Sequence, residues 1–153
     1  MTVLRTPGDR EIVTERVFDA SPQRVWDAWT KPELIARWWG LRDTATRVDA
    51  LELRPGGAWR FVETGSGGAE YAFRGVYREI VPPTRLAFTF EWEGEPGHVL
   101  VDTLDFQDLG DGRTKLVVHA LFHTREERDG MIDAGMEGGL NEGYEQLDAL
   151  LAG

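Results

Sequence analysis

The stretch TREERDGMIDAGMEGGLNEGYEQLDALLAG, Thr124 to Gly153, decides the fold. Plotted at about 100° per residue, Ile132, Met136, Leu140, Tyr144, Leu147, Leu150 and Leu151 fall on one arc of a helix. Glu137, Asn141, Glu145 and Asp148 fall opposite. Thr124 with Glu127 three residues later is a capping box that opens this long C-terminal helix. The buried arc also carries Gly139 and Gly143, and Gly135 and Gly138 lie nearby. An interior helical Gly costs about 1 kcal/mol relative to Ala, so a helix that only plugged a core would use Leu or Ala there. Two readings follow: close packing of backbone against a sheet, or a helix that leaves volume beneath it.

Upstream of the helix, the chain alternates between strand-like runs and turn signals. Glu11 to Ala20 reads as a strand that stops at Ser21-Pro22, an N-cap followed by proline at the first helical position. A short helix carries Val25, Trp26 and Trp29. Thr30-Lys31-Pro32-Glu33 reads as a second capping box, for a helix ending near Trp38-Trp39-Gly40. Turn clusters at Arg54-Pro55-Gly56-Gly57, Gly65 to Gly68, Pro82-Pro83, Gly94 to Gly97 and Gly110 to Gly112 then divide six strand runs. These cover roughly 44–53, 58–64, 70–81, 84–93, 98–108 and 113–122. Strands grouped together, with helices at the ends, predict α+β architecture with one antiparallel sheet of seven strands. The only long element available to cover its apolar face is the last helix, so the sheet should curl around it. Residues 1–153 then form a single domain, with 1–10 as an N-terminal extension.

Alternation picks out the inner face. Trp59 and Phe61 alternate with Arg60, Tyr71, Phe73 and Tyr77 with Arg74 and Arg78, and Phe88, Phe90 and Trp92 with Thr89 and Glu91. Leu100, Leu104 and Phe106 share a face, whereas Leu116 to Phe122 is apolar on both sides and its facing stays open. Large rings on the sheet opposite glycine and methionine on the helix favour a ligand-sized cavity over a solid core.

Composition narrows the function. The 153 residues include 6 Trp, 3 Tyr and 7 Phe, heavy aromatic content for one small domain. A formal charge of −10 repels polyanions, which argues against nucleic acid and acidic membrane surfaces as partners. The absence of Cys removes thiol chemistry and Cys-ligated metals, and fits a cytoplasmic location. Met1 to Arg10 has no signal-peptide pattern, and no apolar run is long enough to span a membrane.

Several segments resemble one known family. They are Arg16 to Pro22 leading into Val25-Trp26-Asp27-Ala28-Trp29-Thr30, then Pro32-Glu33 with Trp38-Trp39, and Arg54-Pro55-Gly56-Gly57 with Trp59. Gly75 to Pro83 with Arg85-Leu86, and Gly135 to Gly139 with Leu147-Asp148 and Leu150-Leu151, complete the set. Over nearly its whole length the chain resembles the activator-of-heat-shock-ATPase-homologue family of the START-like (SRPBCC, birch-pollen-allergen-like) superfamily. The resemblance implies the helix-grip fold and a cavity between sheet and helix, used in the superfamily for lipids, sterols, polyketides and plant hormones. The family name derives from domains that stimulate a cytosolic chaperone ATPase in the stress response, and fold alone does not carry that activity over.

The expected ligand-binding wall is Trp39, Trp59, Phe61, Tyr71, Phe73, Phe88, Phe90, Trp92, Met136, Leu140 and Tyr144, with His119 as a candidate to orient a polar end. Of Trp38 and Trp39, one should anchor the core and the other line the cavity. Met131 and Met136 suit a wall that adapts to different guests. Glu63 and Asp102 share inner parity, but strand-end, solvated positions are the plainer reading of each. His98, His119 and His123 have no metal-ligand spacing, and no nucleophile, base and orienting group converge, so no metal, cofactor or catalytic residue is assigned. The expected function is binding of a hydrophobic or amphipathic small molecule. A cyclase- or dehydratase-like enzyme and a chaperone-ATPase regulator are the alternatives, and a homodimer stays open.

Overall fold

A computed structural model describes residues 2–153. The chain runs β1 (Val3–Arg5), β2 (Glu11–Phe18), α1 (Pro22–Thr30), α2 (Pro32–Trp38), β3 (Ala45–Leu51), β4 (Ala58–Thr64), β5 (Glu70–Val81), β6 (Arg85–Trp92), β7 (Leu100–Asp108), β8 (Thr114–Leu121), α3 (Arg125–Asp133) and α4 (Met136–Ala152). It is the expected α+β helix-grip arrangement, with two departures. The sheet has eight strands in the order β1-β2-β8-β7-β6-β5-β4-β3, all neighbours antiparallel. The extra strand is β1, which pairs Val3 with Glu15 and Arg5 with Val13 inside the segment expected to be an extension.

The second departure is in the C-terminal helix. Thr124 caps α3 as expected, its hydroxyl accepting the Glu127 N–H at 3.1 Å. The helix then breaks at Ala134-Gly135, where Gly135 takes a left-handed φ of 85° and becomes the cap of α4. A side chain would be strained in that conformation, so glycine is what lets α3 end at Asp133 and α4 begin at Met136. The break puts α3 out of phase with α4, which leaves Ile132 exposed rather than on the buried arc.

At the first helical pair, Ser21 accepts the Arg24 N–H and Pro22 opens α1. Thr30 does not cap α2: its hydroxyl donates to the Trp26 carbonyl at 2.9 Å, and Lys31 occupies the cap position with no side-chain bond. Pro32, with its preset φ and missing N–H, starts α2 instead. The Trp38 indole N–H donates to the Ala28 carbonyl at 2.8 Å and pins α2 to α1.

Two irregularities bend the sheet, between Val48 and Ala50 on β3 and between Tyr77 and Glu79 on β5. The solid core lies under the C-terminal half of α4, where Leu147 and Leu151 meet Phe18, Trp26, Phe106 and Leu116. A smaller cluster of Ile12, Leu100, Ala120 and Phe122 sits with Met131 and Met136 of α3 and α4. The sheet is therefore filled at one end and only lined at the other.

Candidate functional site: a cavity between the sheet and the C-terminal helices

The lined end holds a cavity of about 460 Å³. The sheet contributes Trp59 and Phe61 from β4, Phe73 from β5, and Phe88 and Phe90 from β6. Trp39 follows α2 into the same wall, edge-on to Phe61 and Phe73 at centroid distances of 5.2 and 5.1 Å. Edge-to-face contacts of this kind hold rings in fixed orientations, so the wall has a definite shape. Met136, Leu140 and Tyr144 close it from α4, and Met131 from α3. Gly139 and Gly143 face it too, with only a Leu41 methyl and the Gly40 carbonyl within reach of an added Cβ. Trp38 touches the wall and serves mainly as an anchor, while Trp39 is a wall residue.

Gly75 explains how Trp59 lies flat against the sheet. The two residues are paired across β4 and β5, and a Cβ at Gly75 would collide with the Trp59 indole and the Thr89 carbonyl. That carbonyl accepts the indole N–H at 3.1 Å. The bare backbone at Gly75 is thus where the ring passes.

Three of the expected site residues stand elsewhere. His119 pairs with Val13 and Thr103 on the outer face, where its Nε2 lies 2.7 Å from the Glu11 carboxylate. Its neighbours Val118 and Ala120 are the ones that line the cavity, which resolves the facing of β8. Tyr71 and Trp92 have inner-face parity but lie at the ends of their strands, 44% and 38% exposed and outside the cavity. The Trp92 ring packs over Gly94 in the following turn instead of reaching inward.

The polar groups of the wall are a different set. Asp102 is the third residue of β7, paired with Phe88 and Ala120, and lines the cavity with them. Burial alone pushes its carboxyl up to about 7, with no hydrogen bond or cation to offset it. Glu63 lines the cavity from β4 beside Gly40 and Leu41. Burial raises its pKa above the usual carboxylate range, against the Leu41 amide, which lowers it, and with Asp43, which adds to the rise. Thr14, Tyr77 and Tyr144 complete the polar lining. Burial raises the phenol pKa of both tyrosines, and for Tyr144 the nearby Asp102 reinforces it while Arg16 and Thr14 oppose. Arg16 itself is committed away from the cavity, with Nη2 at 2.6 Å from Asp148 and its guanidinium 5.7 Å from the Phe18 and Tyr144 ring centres. The plainer reading of both carboxylates as solvated strand-end groups does not hold: Glu63 is buried and Asp102 half-buried, and both line the cavity, because parity does not show how far each sits from the open rim.

No three His, Cys, Asp or Glu side chains among the described residues converge as metal ligands. Chemically, the site offers a shaped apolar enclosure with two carboxyls in its wall. No described helix is long and apolar enough to cross a membrane.

An antiparallel sheet gripping a C-terminal helix over such an enclosure defines a protein of the START-like class. A family model described as Activator of Hsp90 ATPase homolog 1-like protein matches residues 19–152, and the chain belongs to that family. Among solved structures, it is similar to a Rhodobacter sphaeroides protein at 26% identity and TM-score 0.91, covering 99% of this chain and 98% of that one. An Arthrobacter aurescens protein aligns at 27% identity and TM-score 0.89, covering 98% of this chain and 91% of that one. A Silicibacter pomeroyi protein described as AHSA1 shares the fold at 20% identity and TM-score 0.75, covering 93% and 97%. Comparison with curated proteins finds no match.

Proposed function

We propose that this chain binds a hydrophobic or amphipathic small molecule in the cavity between its sheet and α3/α4, in the cytoplasm. The observation that carries the reading is an aromatic-walled enclosure of about 460 Å³ kept open by glycines on the helix that covers it. That volume lies within the range of small-molecule sites. A guest burying roughly 400 Å² of apolar surface gains roughly 10 kcal/mol gross. Immobilisation removes about 4 kcal/mol or more of that, which leaves affinities of roughly tens of micromolar or weaker.

Native mass spectrometry of the chain purified from its own host, before and after denaturation, tests the proposal. The expected result is one added small-molecule mass per chain that is lost on unfolding. An empty protein that also shows no saturable binding of an environment-sensitive apolar dye, while unfolding cooperatively, would refute it.

Asp102 favours one further reading, a cyclase- or dehydratase-like reaction on a bound guest, because such chemistry needs an inward titratable group and Asp102 is one. Turnover lost in Asp102→Asn with guest affinity retained would support catalysis over binding alone. Regulation of a chaperone ATPase, the activity named in the family description, would instead use an exposed face.

A further inference from the structure

The cavity is unusual in the sign of its polar groups. Its apolar wall is interrupted by two carboxyls, Asp102 and Glu63, and among the described residues no Lys, Arg or His lines it. The guanidinium of Arg16, which lies 5.7 Å from the Tyr144 ring centre, is held by Asp148 and by the Thr2 hydroxyl. A buried carboxyl normally finds a cation or several N–H donors, because leaving it alone forfeits its hydration. Asp102 has neither; the Tyr144 phenol of α4 lies near it, and its strand partners are Phe88 and Ala120.

We propose that the cavity is built for an apolar molecule carrying a protonated amine, whose ammonium group Asp102 receives. This rests on the ligand-binding reading above and narrows it to a class. Three features agree. Folding has already removed much of the carboxyl's hydration, so the guest's cation supplies a partner that the protein does not. Aromatic faces at Trp59, Phe88 and Phe90 attract a cation electrostatically and accept the apolar remainder of the guest. The whole chain carries −10 formal charge, which draws cations and repels carboxylate or phosphate head groups. A fatty acid would bring a second unpaired negative charge beside Asp102, so anionic lipids are the class this cavity rejects.

The test uses decylamine, decanol and decanoic acid, which share one chain length and differ only in head group. Binding to the full-length chain is read by isothermal titration at pH 7.5 with native mass spectrometry for stoichiometry. The amine is expected to bind one per chain, roughly ten- to a hundredfold tighter than the acid. Asp102→Asn should lower amine affinity by roughly tenfold or more while decanol affinity changes little. Glu63→Gln should have the smaller effect on the amine. Equal or tighter binding of the acid, or amine affinity unchanged in Asp102→Asn, overturns the amine proposal while decanol binding keeps the cavity reading intact. If none of the three binds a chain that still unfolds cooperatively, both fail. Circular dichroism and the decanol affinity of Asp102→Asn show that the variant is folded and its cavity formed.

Discussion

Replacing Asp102 with Asn should stabilise the protein at pH 8 relative to its effect in acid, the reverse of what removing a carboxylate usually does. Asp102 is half-buried in the cavity wall without a cation or hydrogen-bond partner, and desolvation raises its pKa from the ordinary 3.8 to about 7. Below about pH 3 the group is neutral in both the folded and the unfolded chain, so it adds no pH dependence. Between about pH 4 and 7 the unfolded chain has released this proton and the folded one has kept it. Stability therefore falls with rising pH, by about 1.4 kcal/mol per unit. Above pH 7 both states are ionised and the penalty is constant. The rise from 3.8 to about 7 corresponds to at most about 4 kcal/mol, and water entering the cavity reduces that to roughly 2 to 4.

Asparagine has nearly the same volume and cannot ionise. Whatever the amide costs through its own buried polar atoms is the same at every pH. The change in unfolding free energy, variant minus wild type, should thus rise by roughly 2 to 4 kcal/mol between pH 4.5 and pH 8. Urea unfolding at four pH values, with the slope on denaturant held common to both chains, measures it. A difference that stays constant within about 0.5 kcal/mol across this window would show that Asp102 is ordinarily solvated, which would refute its placement in an enclosed wall.

Gly139→Ala should be neutral or stabilising by about 0.5 to 1 kcal/mol, since its methyl would meet only the Leu41 side chain at 3.7 Å and the helix gains propensity. A denaturation midpoint clearly below wild type would mean tight packing at this face. Gly75→Ala should cost roughly 3 kcal/mol or more, because its Cβ collides with the Thr89 carbonyl and the Trp59 ring; near-wild-type stability would show that β5 can move aside. Leu140→Trp should fill part of the cavity and weaken dye binding by roughly tenfold without unfolding the chain, and an unchanged dissociation constant would place the guest elsewhere.

Much of the fold was legible because the signals are local. Turn chemistry divides the strands close to where they end: β4 and β5 run over Ala58–Thr64 and Glu70–Val81, as the turn clusters on either side dictate. Side-chain alternation places Trp59, Phe61, Phe73, Phe88 and Phe90 on one face, because a strand's two faces follow from its backbone alone. The glycines of the last helix point to unfilled volume by the same kind of reasoning, from the cost of keeping them.

What parity cannot supply is position along the strand relative to the helix that covers it. Tyr71 and Trp92 have the right face and the wrong end, so they meet solvent at the rim. His119 lies in a run apolar on both sides, and only its pairing with Val13 and Thr103 decides that it points outward. The periodicity of residues 124–153 continues across a break that exists because Gly135 adopts a left-handed turn, a conformational choice that hydrophobic spacing does not encode. Asp102 carries the same lesson furthest. Its sequence position shows one aspartate among inward leucines. Its elevated pKa comes from the closing of helix over sheet, which removes water from a group that no neighbour compensates. Local chemistry is written residue by residue along the chain, whereas desolvation belongs to surfaces that meet only when the chain has folded.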